Sequence, residues 1–160
     1  EKEIFLENPG VQPDLQGNDY ALQRQLKAEA RTKLIDVLDE LKIIPTSMID
    51  ISDGLTSEVL HLSKQSEVGI TIYEDKLPID HTTMNLAKEM KLNPIFCALN
   101  GGEDYELLFT ISQEHYEKIK KDIDFTVIGH VTDKSEGNNF ITKDNTSHPI
   151  TAQGWDPIKK

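Results

Sequence analysis

The chain has 160 residues, a length that suits one domain with a real core. Its 17 Lys and Arg stand against 28 Asp and Glu, a formal net charge of −11, and 37% of the residues are hydrophobic. Binding to nucleic acid or to an acidic membrane surface takes clustered cations, so this composition excludes both and leaves a lean, acidic, globular domain.

In chain order, residues 1–18 carry Pro9, Gly10, Pro13 and Gly17 among polar residues and read as a tether. From Asp19 to Lys42 the pattern is helical, with Leu34, Val37, Leu38 and Leu41 forming one apolar stripe that Pro45 stops. Met48 to Ile51 is a short buried strand, followed at once by Ser52-Asp53-Gly54 and a second helical stripe of Leu55, Val59, Leu60 and Leu62. Gly69 to Tyr73 is β-branched and predicts a strand; residues 82–92 predict a helix, and Pro94 precedes a short apolar piece, Ile95 to Leu99. After Gly101-Gly102-Glu103-Asp104 come a strand from Tyr105 to Ile111, a charged helix over 113–121 and a strand from Phe125 to Val131. Gly137-Asn138-Asn139 then suggests a hairpin joining that strand to Phe140-Ile141-Thr142. The alternation predicts an α/β or α+β fold, a mixed, largely antiparallel sheet with packed helices.

Two acidic turns stand out. In Asp50-Ile51-Ser52-Asp53-Gly54, alternation along a strand puts Asp50 and Ser52 on one face, with Asp53 at the start of the next helix. Two carboxylates and a hydroxyl there suit Mg²⁺, which takes one or two carboxylates and completes its shell with water and phosphate oxygens. Ser52 or Asp53 could instead simply cap the helix. Capping leaves Asp50 unexplained, since a carboxylate inside a buried strand needs a cation or a donor. In Gly101-Gly102-Glu103-Asp104-Tyr105-Glu106, the paired glycines permit positive φ and close backbone approach beside a run of acids; a plain helix C-cap with solvated acids is the other reading.

Taken together, Met48-Ile49-Asp50-Ile51-Ser52-Asp53-Gly54-Leu55 and Gly101-Gly102-Glu103-Asp104-Tyr105-Glu106-Leu107 resemble the C-terminal half of the thiamine-monophosphate kinase family, in the aminoimidazole ribonucleotide synthetase and selenophosphate synthetase superfamily. Arg24-Gln25-Leu26-Lys27, Ala30-Arg31, Leu77-Pro78, Ile128-Gly129 and Gly154-Trp155-Asp156 add shorter matches, and the resemblance covers residues 19–156. It implies the C-terminal domain fold of that superfamily, with residues 1–18 as the remnant of an interdomain connection and 19–160 as the domain. It further implies ATP-dependent phosphorylation of thiamine monophosphate to thiamine diphosphate with Mg²⁺, by in-line transfer and without a protein nucleophile or base. By motif match, Asp50 and Asp53 become magnesium ligands, Ser52 a nucleotide contact, and Glu103 and Trp155 substrate contacts. An N-terminal half, absent from this chain, would supply further acidic ligands, much of the nucleotide site and the homodimer contact. The chain alone is therefore expected to fold and to be inactive. Two alternatives stay open: another ATP-using member of the superfamily, and an acidic divalent-cation-binding module without chemistry of its own.

The remaining signals are bland. Cys97, the only cysteine, excludes an internal disulfide and reads as a small core hydrophobe, and the five His show no metal-ligand spacing. No apolar run approaches the roughly 18 residues of a membrane span, and the first residues lack a signal-peptide pattern. A cytoplasmic location is the expectation.

Overall fold

The computed structural model describes residues 19–119 and 125–151. In chain order its main elements are α1 (Asp19–Leu26), α2 (Thr32–Glu40), β1 (Ser47–Asp50), α3 (Leu55–Ser66), β2 (Gly69–Tyr73), α4 (His81–Glu89), α5 (Pro94–Asn100), β3 (Leu107–Thr110), α6 (Tyr116–Ile119), β4 (Gly129–Thr132), β5 (Asn138–Ile141) and β6 (Ser147–Pro149). The fold is mixed α/β, as expected, but the strands form two sheets. β1 and β3 make an antiparallel ribbon, and a four-stranded sheet has the order β4-β2-β5-β6, with only the β2–β5 pair parallel.

The apolar stripes do what their spacing predicts. Leu55, Val59 and Leu62 of α3 bury against Ile70 and Ile72 of β2 and against Ile150, with Ile49, Leu99, Leu108 and Phe140 packed around them. A second cluster gathers Leu38 of α2, Ile43 and Ile119, flanked by Leu34, Leu41, Met48 and Phe109. These two clusters clamp the β1–β3 ribbon, and so fix its outer end, where both acidic turns begin.

Three local expectations change, and one segment that the sequence left without an element gains one. The helix expected over 19–42 is two helices, because the chain breaks after Leu26 and restarts at Thr32. Nothing in Lys27-Ala28-Glu29-Ala30-Arg31 disfavours helix; the break brings Arg24 and Arg31 onto the same carboxylate, Glu106, so a tertiary contact overrides local propensity. The piece Ile95 to Leu99 lies in helix α5, with Pro94 in its first turn and Asn93 as N-cap accepting from the Ile95 and Phe96 N–H groups at 2.9 and 3.3 Å. The charged helix over 113–121 begins as a 3₁₀ turn at Gln113–His115 and continues as α6, and residues 120–124 lie outside the described residues.

The hairpin expected between β4 and β5 does not form: β2 lies between them, antiparallel to β4 and parallel to β5. Two glycines make this possible. A Cβ at Gly129 would overlap the Thr71 carbonyl oxygen, so only glycine lets β4 approach β2 here, and a Cβ at Gly69 would meet the Asp133 and Gly137 carbonyls where the connection crosses the end of β2. The tight hairpin is the next one, β5–β6, where Thr142 N–H donates to Thr146 O at 3.0 Å and Asn145 turns at φ +61°.

Candidate active site

β1 and β3 pair from Ser47–Thr110 to Asp50–Leu107, and the ladder then continues past both strand ends. Ile51 N–H donates to Glu106 O, Tyr105 N–H to Ile51 O, and Glu103 N–H to Ser52 O, each at 2.8 Å. The two acidic turns are therefore successive rungs of one backbone ladder, although 50 residues of chain separate Ser52 from Gly102. Asp50, Ser52, Asp53 and Glu103 sit together at this edge. Trp155 lies outside the described residues, as do residues 1–18.

The glycines are used for proximity. Gly101 has φ −72° and Gly102 is not left-handed either; a Cβ on Gly102 would come within 2.7 Å of Ser52 O, so Gly102 lets one turn lie against the other, while a Cβ on Gly101 would meet Cys97 O at the end of its own helix. The positive φ expected of them falls instead on Glu103 at +69° and Tyr105 at +51°. On the facing turn Gly54 has φ +110°, and a Cβ there would press on the Asn100 backbone. Thr56 ties the same corner, its hydroxyl donating to Leu99 O at 3.0 Å and reaching Asn100 Oδ1 at 3.2 Å.

The capping reading of the first turn fails. The N-cap of α3 is Gly54, with no side-chain capping bond, so neither Ser52 nor Asp53 is used as a cap. Asp50 also differs from expectation: it ends β1 in an exposed position, and its carboxylate is not a buried charge. The reading of the second turn as a helix C-cap holds in part, since α5 ends at Gly101, whose N–H donates to Cys97 O at 2.7 Å.

Charge is unevenly compensated. Burial alone would push the Glu106 carboxyl up, but hydrogen bonds and charge from Arg31 and Arg24 more than reverse this and hold it below the usual range. Arg31 grips it with two nitrogens, Nε donating to Oε2 at 2.8 Å, and Arg24 joins on Oε1. Desolvation, reinforced by Glu106 and opposed by Arg24, raises Asp104. The Tyr105 phenol is pushed above its ordinary value first by Glu103, then by slight desolvation and the hydrogen bond to Glu103, and then by Asp50 and Asp53. Asp50, Asp53 and Glu103 thus all act on one phenol. None of the three forms a salt bridge among the described residues.

Among the described residues no three His, Cys, Asp or Glu side chains close into a ready metal cage. Mg²⁺ does not require one, since it binds through one or two carboxylates plus water and phosphate oxygens. Two exposed carboxylates without a salt-bridge partner among the described residues, three residues apart on a pinned turn, fit that need. A cavity of about 260 Å³ opens elsewhere, at the far end of β1 among Thr46, Ser47, Thr110 and Val131, and includes no acidic-turn residue.

The sequence reading passed over Glu58. It is only 3% exposed, and its Oε1 accepts the Asp53 N–H at 3.2 Å, bracing the first turn from below. Its signal was its phase: three residues after Leu55 and four before Leu62, it lies on the buried face of α3. Glu106 stands in the second acidic motif, and its partners Arg24 and Arg31 are too distant in sequence for any local pattern to join them.

The fold and the two adjoining acidic turns together define a mixed α/β domain of the type that the motifs suggested. A family profile described as "AIR synthase related protein, C-terminal domain" matches residues 8–141, and the chain belongs to that family. Among its relatives, the thiamine-monophosphate kinase of Pyrococcus abyssi is 36% identical over 141 residues, 86% of this chain and 42% of the relative. The crystal structure of thiamine monophosphate kinase from Aquifex aeolicus superposes with a TM-score of 0.68 at 32% identity, over 92% of this chain and 46% of that one. AaThiL, solved in complex with AMPPCP and TMP, gives a TM-score of 0.71 at 30% identity, over 98% of this chain and 46% of its own. This chain therefore spans about half the length of the proteins it matches. Among the described residues no helix is long and apolar enough to cross a membrane.

Proposed function

We propose that this chain is the C-terminal half of an ATP- and Mg²⁺-dependent thiamine-monophosphate kinase, which moves the γ-phosphoryl group of ATP in line onto thiamine monophosphate. One observation carries the reading. Two acidic motifs distant in sequence share one hydrogen-bonded edge, in a chain that aligns over 98% of its length with a protein solved with AMPPCP and TMP.

In this reading Asp50 and Asp53 offer carboxylate oxygens to Mg²⁺, Ser52 contacts the nucleotide, Glu103 contacts the thiamine substrate and Trp155 stacks on its heterocycle. Bound Mg²⁺ would screen the phosphates from the acidic turns and stabilise charge on the transferring oxygens. The protein's own work is positioning. The rungs from Ile51, Ser52, Glu103 and Tyr105 hold both turns in one register, so groups bound by one are fixed relative to groups bound by the other. No side chain serves as nucleophile or general base, because the acceptor is already an ionised phosphate. A preceding N-terminal half completes the acidic ligand set and the nucleotide site and forms the homodimer, and residues 1–18 are the end of the connection to it. The enzyme works in the cytoplasm.

The test is product formation by the intact kinase given ATP and thiamine monophosphate, with and without Mg²⁺. Thiamine diphosphate should appear only when all three are present, and not with the 160-residue chain alone. A folded intact protein that makes none refutes the kinase reading, and turnover by the isolated chain refutes its division into halves.

A further inference from the structure

The loop between α5 and β3 adopts left-handed backbone at two residues that carry a Cβ, Glu103 at φ +69° and Tyr105 at φ +51°. That conformation is costly for such residues, most of all for a bulky one, and glycine is its ordinary occupant. The strain is held from behind by the Glu103 N–H on Ser52 O and the Tyr105 N–H on Ile51 O. Packing gives no reason for a tyrosine here. The residue is 39% exposed and belongs to neither hydrophobic cluster. What its side chain does meet is polar: the hydroxyl donates to Glu103 Oε2 at 3.4 Å. A strained residue that the core does not need points to a role at the surface it faces.

We propose that Tyr105 is a positioning and selectivity residue of the candidate active site, its hydroxyl setting the pose of Glu103 and its ring forming a wall for the substrate's planar heterocycle. The proposal rests on the substrate role given to Glu103 above. The chemistry selects a flat ring carrying positive charge: the electron-rich phenol face attracts it, and Glu103 adds its own attraction. A neutral ring of the same shape gains only the stacking.

Steady-state kinetics of the intact kinase, paired with thermal unfolding, test this with Tyr105→Phe, Tyr105→Gly and Glu103→Gln. Tyr105→Phe keeps the ring and loses the hydroxyl, and should raise KM for thiamine monophosphate by roughly 2–10-fold, the worth of one hydrogen bond, with kcat little changed. Tyr105→Gly relieves the left-handed backbone, so its Tm should equal or exceed that of wild type, while KM rises more than about tenfold as ring and hydroxyl both go. A purely structural tyrosine would show the reverse, a lower Tm with unchanged KM, and that result overturns the proposal. Glu103→Gln separates the two layers. If it leaves KM unchanged, the substrate reading of the site falls and the proposal with it; if it raises KM while both Tyr105 variants match wild type, the proposal alone falls.

Discussion

Glu106→Gln tests how the helices in front of the site are fastened to it. Glu106 receives Arg24 from α1 and Arg31 from the residue before α2, and its backbone carbonyl accepts the Ile51 N–H of the facing turn. The side chains of Arg24, Arg31 and Glu106 are 34%, 41% and 39% exposed, so solvent screens both pairs and neither has the strength of a buried ion pair. Exposed pairs contribute about 0.2–1 kcal/mol each, and the two-nitrogen grip of Arg31 favours the upper end, so the variant should lose about 1–2 kcal/mol. For a protein of this size that is about 2–8 °C in Tm. The pH dependence has a definite sign. The folded-state pKa of Glu106 lies below its ordinary value of 4.5, so its stabilisation is complete above that value and lost as pH falls through the lower folded one. Thermal unfolding of wild type and variant should therefore show a constant gap between pH 6 and 8 that closes on acidification, and a smaller gap in high salt. Equal Tm values at pH 7, or a gap that widens toward pH 4, would refute the reasoning.

Asp104→Asn should act in the opposite sense. Desolvation raises the Asp104 carboxyl in the folded state, so its charged form opposes folding at neutral pH; the variant should be at least as stable as wild type at pH 7, with the advantage vanishing in acid, as read by Tm against pH. Gly129→Ala forces a methyl group onto the Thr71 carbonyl and should cost about 1–3 kcal/mol or more by urea unfolding, by prising β4 from β2. Ile72→Ala removes a side chain only 1% exposed from the main cluster and should cost about 2–5 kcal/mol in the same assay.

Much of the fold was legible because burial writes itself into spacing. The stripe of α3 and the β-branched run of β2 both faced the core as their periods required. What escaped was set by tertiary contact. Lys27 to Arg31 has good helix propensity, and only Glu106, 75 residues from Arg31, explains why the helix stops. The insertion of β2 between β4 and β5 depends on Gly129 and Gly69, which read locally as an interior strand residue and a strand start and prove to be points of close approach. At the site, the acidic turns were visible as strings, and their contact was not, since no local pattern reports a rung between Ser52 and Glu103. Glu58 could have been found from its helical phase. The left-handed Tyr105 could not, because positive φ is ordinarily signalled by glycine, and the neighbouring glycines were the natural candidates.

Under the proposed function the two turns serve one reaction in different ways. The most direct measurement is steady-state kinetics of the intact kinase with Asp50→Asn, Asp53→Asn and Glu103→Gln, varying Mg²⁺, ATP and thiamine monophosphate in turn. If Asp50 and Asp53 hold Mg²⁺ as proposed, both Asp variants should lose kcat by about 10²-fold or more, with a raised Mg²⁺ requirement. Glu103→Gln should raise KM for thiamine monophosphate and leave the Mg²⁺ requirement as it was. Asp variants with wild-type kcat and Mg²⁺ dependence would contradict it, and so would a Glu103 variant whose defect lay in magnesium alone.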